Sequence, residues 1–252
     1  MVHFVGAGPG DPDLITLRGR AHIEQADVII YAGSLVNPQL LAWAKPGCAV
    51  YDSAGMTLPE VLAVMQAAVA EGKRVVRLHT GDPSLYGAIR EQMDGLEAQG
   101  IPFDQTPGVS AFSGAAAALC AEYTLPGVSQ TLILTRMAGR TPVPERESIP
   151  SLAAHQASMA IYLSAGMLEQ LSDQLMAGGY AADTPAAIVY KASWPEEKVV
   201  RCTVSGLAQA AKAQGVTKTA LIVVGRFLEG EYDLSRLYDP GFSHGFREGG
   251  EW

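Results

Sequence analysis

Short β-branched runs alternate with helix-length stretches along this chain, and that alternation constrains its fold more than any other feature. A strand whose successor lies one helix away pairs with it in parallel, so the pattern predicts a sheet covered by helices. Val2–Val5 reads as a strand, Leu14–Gln25 as a helix and Val28–Tyr31 as the next strand. Thr57 and Glu60 stand in capping-box spacing, and Val61, Leu62, Met65, Ala68 and Val69 then share one helical face that Gly72 ends. Arg74–His79 is a strand, a helix runs to about Gln99, and Ile101–Thr106 is extended. Pro107-Gly108 then turns into a small-residue helix over Ala111–Glu122.

A second series begins after Leu125-Pro126-Gly127. Strands are expected at Thr131–Thr135, Ser158–Ser164, Ala186–Tyr190, Lys198–Val204 and Ala220–Val224, with helices over Leu168–Met176 and Leu207–Ala213. The short span Lys191–Glu197 favours a hairpin and therefore a mixed sheet. Arg136–Pro150 is polar and lacks an apolar period; it reads as a long loop, and loops of that length are usually functional or mobile. The expected organisation is α/β in two domains, 1–125 and 126–240, with a tail over 241–252 whose extreme end is mobile.

Charge and cysteine usage narrow the function classes. With 18 Lys+Arg against 26 Asp+Glu, the formal charge of −8 disfavours bulk attraction to nucleic acid or to an anionic membrane. Cys48, Cys120 and Cys202 are odd in number and form no CxxC pair, which suggests buried thiols in a reducing compartment. The start lacks the basic and apolar regions of a signal peptide, and no apolar run approaches the roughly 20 residues of a membrane span. A cytoplasmic location is the expectation. The histidines (His3, His22, His79, His155, His244) show no paired ligand spacing, so no protein-bound metal is expected.

The opening strand leads into Gly6-Ala7-Gly8-Pro9-Gly10-Asp11. A dinucleotide fingerprint needs glycine where Asp11 stands, so a nicotinamide oxidoreductase is disfavoured. Thr80-Gly81-Asp82-Pro83-Ser84-Leu85 follows the Arg74–His79 strand, and Gly108-Val109-Ser110-Ala111 follows the next. A lone Gly-Asp-Pro is usually a turn. Three glycine-bearing strand exits in series suggest a ligand crevice along the carboxyl edge of one sheet.

GAGPGDPDLITLRG, ADVIIYAG, RVVRLHTGDPSLYG and IPFDQTPGVSAFSGAAA, in this order and spacing, resemble the tetrapyrrole (class III) methyltransferases. YAGSLVNPQLL, TRMAGRTPVPE and SRLYDPGFSHGFR are similar to the branch of that family that methylates precorrin-4 at C11 in cobalamin synthesis. The resemblance implies the tetrapyrrole methylase fold and a homodimer. It also implies that S-adenosyl-L-methionine binds in a cleft between two α/β domains and leaves as S-adenosyl-L-homocysteine. Pro9 would then line the cofactor site, Thr80, Gly81 and Asp82 would meet its amino-acid or ribose portion, Leu85 would pack nearby, and Ser110 and Ala111 would continue the wall. Leu163 stands where the family often has Met, and Ala192 where relatives often have Gly; main-chain contacts survive both changes. Ala32 replaces an Asp regarded as a base in the uroporphyrinogen-methylating relatives, and Tyr51-Asp52-Ser53-Ala54 lacks their Lys, so that acid/base pair does not transfer.

Methyl transfer to a carbon requires alignment more than an activated side-chain nucleophile, and a proton acceptor as the macrocycle redistributes charge. Asp11, Asp52 and Tyr31 are the candidates, each with a plainer role available: a helix cap, a solvated turn and a core-packing strand residue, respectively. A precorrin carries many carboxylates, and Arg136, Arg140 and Arg146 suit them because guanidinium pairs with carboxylate in bidentate fashion. Methylation at another ring carbon, or a non-catalytic tetrapyrrole carrier, are the competing readings.

Overall fold

A computed structural model describes residues 1–250. The chain divides into two compact units, the first Met1–Ala118 together with Tyr190–Lys198, the second Leu119–Val189 together with the chain from Val199. The division falls at 118/119 rather than 125/126, and residues 190–198 pack with the first unit although their flanking strands belong to the second.

The first unit is a five-stranded sheet of β1 (Val2–Gly6), β2 (Val28–Tyr31), β3 (Ala49–Asp52), β4 (Val75–His79) and β5 (Phe103–Thr106), in the order β3-β2-β4-β1-β5. Every pairing is parallel. Four helices accompany it, α1 (Leu17–Gln25), α2 (Leu58–Ala70), α3 (Arg90–Glu97) and α4 (Ala111–Leu119). Period-two alternation sends Val2, Phe4, Val28, Ile30 and Val75 to one face, against Val61, Met65 and Ala68 of α2 and Leu96 of α3. Val5, Ile29, Val76 and Leu78 go to the other face, against Ile23 of α1 and Leu40. Both faces are covered, which is why these strands read as continuous apolar runs. The exit of β1 therefore leads through α1 on one face, and the exit of neighbouring β4 through α3 on the opposite face. Diverging connections of this kind leave a crevice at the carboxyl ends of the strands.

Several boundaries differ from expectation for local reasons. The first long helix begins at Leu17, not Leu14, because Pro12–Leu14 forms its own 3-10 turn and the Thr16 hydroxyl accepts the Gly19 N–H at 3.1 Å. α3 begins only at Arg90, after a loop in which Tyr86 and Ala88 hold positive φ of 56° and 48°. β3 was not expected; it is an edge strand exposed at every position, so it carries no burial pattern, and pairing with β2 alone defines it. The capping-box spacing is realised, with the Glu60 carboxylate accepting the Thr57 N–H at 2.6 Å and the Thr57 hydroxyl at 2.7 Å. Those bonds, the backbone one first, lower the Glu60 pKa.

The second unit is a sheet of β6 (Leu132–Arg136), β7 (Ser158–Tyr162), β8 (Pro185–Tyr190), β9 (Lys198–Thr203) and β10 (Ala220–Val224), ordered β6-β7-β10-β8-β9. β6 runs parallel and β10 antiparallel to β7, so the sheet is mixed as expected. Its helices are α5 (Ile149–Ala153), α6 (Leu168–Ala177) and α7 (Leu207–Gln214). The expected loop over Arg136–Pro150 is shorter: Arg136 ends β6, Glu145–Glu147 is a 3-10 turn, and α5 starts at Ile149. Within the tail, the Arg247 guanidinium donates to the carbonyls of Leu237 and Phe242 at 3.0 and 3.3 Å and gathers that segment around itself. Of the extreme end for which mobility was expected, residues 251–252 lie outside the described residues. No helix among the described residues is long and apolar enough to cross a membrane.

Arg77 and His79 are buried on the α2/α3 face of β4. Arg77 donates to Gln92 Oε1 at 3.0 Å and to the Ile30 carbonyl at 3.2 Å, and burial pushes its pKa down to about 10. His79 Nε2 has no hydrogen-bond partner; burial, with the Arg77 charge beside it, pushes the imidazole down to about 3. The unfolded chain therefore binds a proton below pH 6.5 that the folded chain refuses until about pH 3, and folding stability falls as pH drops across that window. The slope reaches about 1.4 kcal/mol per pH unit for one such proton. Urea titrations between pH 7.5 and 5 are expected to show this loss in the wild type and a flatter dependence in His79→Phe; parallel curves would exclude His79 as the cause.

Candidate functional site

The loops leaving β1, β4 and β5 touch through bare backbone. A methyl at Gly6 would sit 2.5 Å from Gly108 Cα and 2.7 Å from the Gly81 carbonyl oxygen, and one at Gly108 would sit 2.2 Å from that same oxygen. No side chain fits at either position. Past the strand ends the two central loops bond to each other, the Gly81 N–H donating to the Gly8 carbonyl at 2.8 Å and the Gly8 N–H to the Gly81 carbonyl at 3.3 Å. Gly8 and Gly81 have φ of 78° and 59°, in the left-handed region that glycine occupies without strain.

Asp82 joins the β4 exit to the β5 exit. Its Oδ2 accepts the Gly108 N–H at 2.9 Å, and its Oδ1 accepts the Ser84 N–H at 2.8 Å as well as the Ser84 hydroxyl. Burial works against its ionisation most strongly, yet the Ser84 and Gly108 donors together outweigh it and lower its pKa. Thr80 and Leu85 are half-buried on the same exit, with the Leu85 N–H returning to the Asp82 carbonyl at 3.2 Å. Ser110 is buried at the start of α4, its carbonyl accepting the N–H groups of Ser113 and Gly114 at 3.1 Å, and Ala111 is the first residue of that helix. Gly81 lies against both, a methyl there standing 3.6 Å from the Ala111 nitrogen and 3.7 Å from Ser110 Cα.

The third wall comes from far along the chain. Ala192 is buried, and a methyl on Gly114 of α4 would sit 3.0 Å from Pro9 Cβ and 3.5 Å from Ala192 Cβ. Ser193 Oγ accepts the Asp11 N–H at 2.9 Å, Trp194 Nε1–H donates to the Pro9 carbonyl at 2.9 Å, and Asn37 Nδ2–H donates to the Gly10 carbonyl at 2.9 Å. Pro9, Thr80, Gly81, Asp82, Leu85, Ser110, Ala111 and Ala192 are thus all in the first unit, on or beside the exits of β1, β4 and β5. Asn37, Gly114, Ser193 and Trp194 were not anticipated. The one hint in the sequence was a solitary Trp in an otherwise polar connection.

Other sequence candidates take different places. Asp11 caps the Pro12–Leu14 turn, its Oδ1 accepting the Asp13 N–H at 2.9 Å. Asp52 caps the Ser53–Gly55 turn that follows β3, accepting the Ala54 N–H at 2.8 Å, and is exposed. Tyr31 is half-buried against the β2 face and stands opposite Asp52 in the β2/β3 register. Arg136 directs its guanidinium at the carbonyls of Met137, Thr141 and Pro142, at 3.3, 3.0 and 2.9 Å, and so braces its own loop. Arg140 and Arg146 are exposed, the latter 3.8 Å from Glu147. Leu163 follows β7 in the second unit; it is 68% exposed with φ of 53°, and the hydroxyl of the adjacent buried Ser164 donates to the Tyr162 carbonyl at 2.7 Å.

Folding also gathers residues that spacing kept apart. His3, His22 and Asp104 place one ligand atom each within 4.8 Å of one another. His3 Nδ1 pairs with Asp104 at 2.7 Å, and the two imidazoles stack with centroids 4.1 Å apart.

Comparison with known proteins matches residues 1–208 to the tetrapyrrole (corrin/porphyrin) methylases. A cobalt-precorrin-4 C(11)-methyltransferase of Methanocaldococcus jannaschii is 53% identical over 248 residues, covering 98% of this chain and 96% of the relative. The X-ray structure of a cobalamin biosynthetic enzyme, a cobalt precorrin-4 methyltransferase, superposes with a TM-score of 0.89 at 47% identity, covering 91% of this chain and 96% of that one. A uroporphyrin-III C-methyltransferase of Thermus thermophilus, solved with S-adenosylhomocysteine, gives a TM-score of 0.74 at 26% identity, covering 90% of this chain and 93% of that one.

The glycine contact makes a direct claim on stability. Gly108→Ala is expected to cost about 1–3 kcal/mol in urea titration, because backbone stands on the far side of the clash. Gly55→Ala, where a methyl meets nothing within 4 Å, should change stability by less than about 0.5 kcal/mol. Equal stability of the two variants would refute the close packing.

Proposed function

Because this chain belongs to the tetrapyrrole (corrin/porphyrin) methylase family, we propose that it is the enzyme that transfers a methyl group from S-adenosyl-L-methionine to C11 of precorrin-4, or of its cobalt complex, in cobalamin synthesis. The observation that carries the reading is the side-chain-free junction of Gly6, Gly81 and Gly108 at a sheet switch point. Beta carbons would fill this cradle, and its absence of side chains suits a ligand held through main-chain groups.

When bound, S-adenosyl-L-methionine supplies a sulfonium methyl whose bond to sulfur breaks as the bond to the ring carbon forms, sulfur keeping the electron pair. The chain's own residues do the remaining work by placement. Pro9, Ala192 and Ala111 offer apolar walls, and Thr80, Gly81 and Ser110 offer main-chain and hydroxyl groups. Asp82 has both oxygens engaged by Ser84 and Gly108, so its role is to hold two exits at a fixed separation. No nucleophilic Ser or Cys is needed, since the attacking atom is a ring carbon. The proton leaving the methylated ring needs an acceptor; Asp11, Asp52 and Tyr31 are the candidates, both carboxylates also accepting an N–H of the turn each caps, and Tyr31 standing beside Asp52 in the β2/β3 register.

A protein of net charge −8 must concentrate positive charge where a polycarboxylate docks. Arg136 is committed to its own loop, which leaves exposed Arg140 and Arg146 to meet the substrate's carboxylates. The enzyme acts in the cytoplasm as a homodimer, as the family resemblance implies.

Three measurements test this. Calorimetry should show tight binding of S-adenosylhomocysteine and none of NADH, and incubation with labelled methyl donor and precorrin-4 should place label on C11 by NMR; label on another ring carbon would reassign the reaction. Arg140→Ala/Arg146→Ala should raise KM for the tetrapyrrole roughly tenfold, the scale of one charged hydrogen bond, with S-adenosylhomocysteine affinity unchanged. A parallel loss of both would remove the arginines from substrate binding.

A further inference from the structure

We propose that Trp194 is a positioning residue that sets the conformation of the Pro9–Asp11 loop, an inference that rests on the reading of that loop as a cofactor contact. In the Gly8-Pro9-Gly10 turn the proline ring fixes only its own φ, and beyond the Gly8 bridge to Gly81 the segment joins no strand. Its main-chain groups are held instead by side chains. The Pro9 carbonyl accepts Trp194 Nε1–H, the Gly10 carbonyl accepts Asn37 Nδ2–H, and the Asp11 N–H donates to Ser193 Oγ, all at 2.9 Å.

The indole also packs on Gly10 so closely that a methyl there would lie 2.1 Å from Trp194 Cδ1. Glycine at position 10 is therefore the complement of tryptophan at 194, not a requirement of the loop's own backbone. Rotating the Pro9–Gly10 peptide would break the indole bond and lift the ring, so one side chain fixes both the direction of the Pro9 carbonyl and the height of the loop.

The segment carrying Trp194 is itself braced. Lys191 and Ser193 have φ of 47° and 65°, a conformation such residues keep only when their surroundings impose it. The Ser193 N–H donates to Glu197 Oε2 at 2.6 Å, the Trp194 N–H to the Lys191 carbonyl at 3.0 Å, and the Lys191 ammonium lies 5.0 Å from the indole centroid. Residues from a connection between two strands of the other sheet are thereby built into a rigid tooth for the first unit.

Trp194→Phe keeps a ring over Gly10 and removes the donor; Ser193→Ala removes only the acceptor for Asp11. In the full-length protein each is expected to weaken S-adenosylhomocysteine binding and raise KM for the methyl donor about five- to thirtyfold, as loss of one hydrogen bond of about 1–2 kcal/mol would. KM for precorrin-4 should stay within twofold, a split that general loosening of the fold would not give. Amide exchange at Gly10 and Asp11 should quicken in both variants without any ligand. Wild-type exchange rates in both variants would overturn the positioning role whatever binds. Quickened exchange with unchanged S-adenosylhomocysteine affinity would overturn its link to the cofactor, whereas failure of the wild type to bind S-adenosylhomocysteine would remove the cofactor reading itself.

Discussion

Three backbones meeting without side chains is the constraint on which the rest of the first unit depends. Strands β1, β4 and β5 converge at their carboxyl ends, and Gly6 and Gly108, both against the Gly81 carbonyl, leave no room for a beta carbon. That approach brings the Gly8 and Gly81 main chains into mutual hydrogen bonding and lets Asp82 reach across to the Gly108 N–H. Enlarging Gly6 or Gly108 would force backbone aside at a strand exit, because the atoms on the far side of each clash are main chain.

Side chains take over where secondary structure stops. Asp82, Asn37, Ser193 and Trp194 each satisfy main-chain groups of loops that no ladder holds, and a buried loop needs such partners for every polar group. Arg136 and Arg247 do the same in the second unit, each turning a guanidinium toward carbonyls of its own segment. Arg136, which the sequence offered as a partner for carboxylates, is in the folded chain an internal brace. The remaining exposed arginines of the Arg136–Arg146 stretch are then the ones available to an anionic partner.

Legibility followed burial. Val28–Tyr31 and Ala220–Val224 are strands with the limits read from their apolar runs, since burial on both faces writes itself into composition. β3 escaped notice because an exposed edge strand needs only a neighbour's backbone. The late starts of α1 and α3 reflect proline and positive-φ loops that divert the chain before helical periodicity can act. The glycine-rich exits were visible as motifs, whereas Trp194 and Asn37 were not: their partners lie 185 and 27 residues away.

By itself the sequence determined the alternation of strand and helix, the two-sided burial of the central strands and the small residues at their exits. These are local or periodic properties, carried by side-chain shape and polarity at fixed spacing. Only the tertiary structure decided which exits touch, that residues 190–198 join the first unit, and that Asp82 and Trp194 turn toward main-chain groups of distant loops. Those outcomes depend on strand order and on distances between segments far apart along the chain, and no local pattern encodes them.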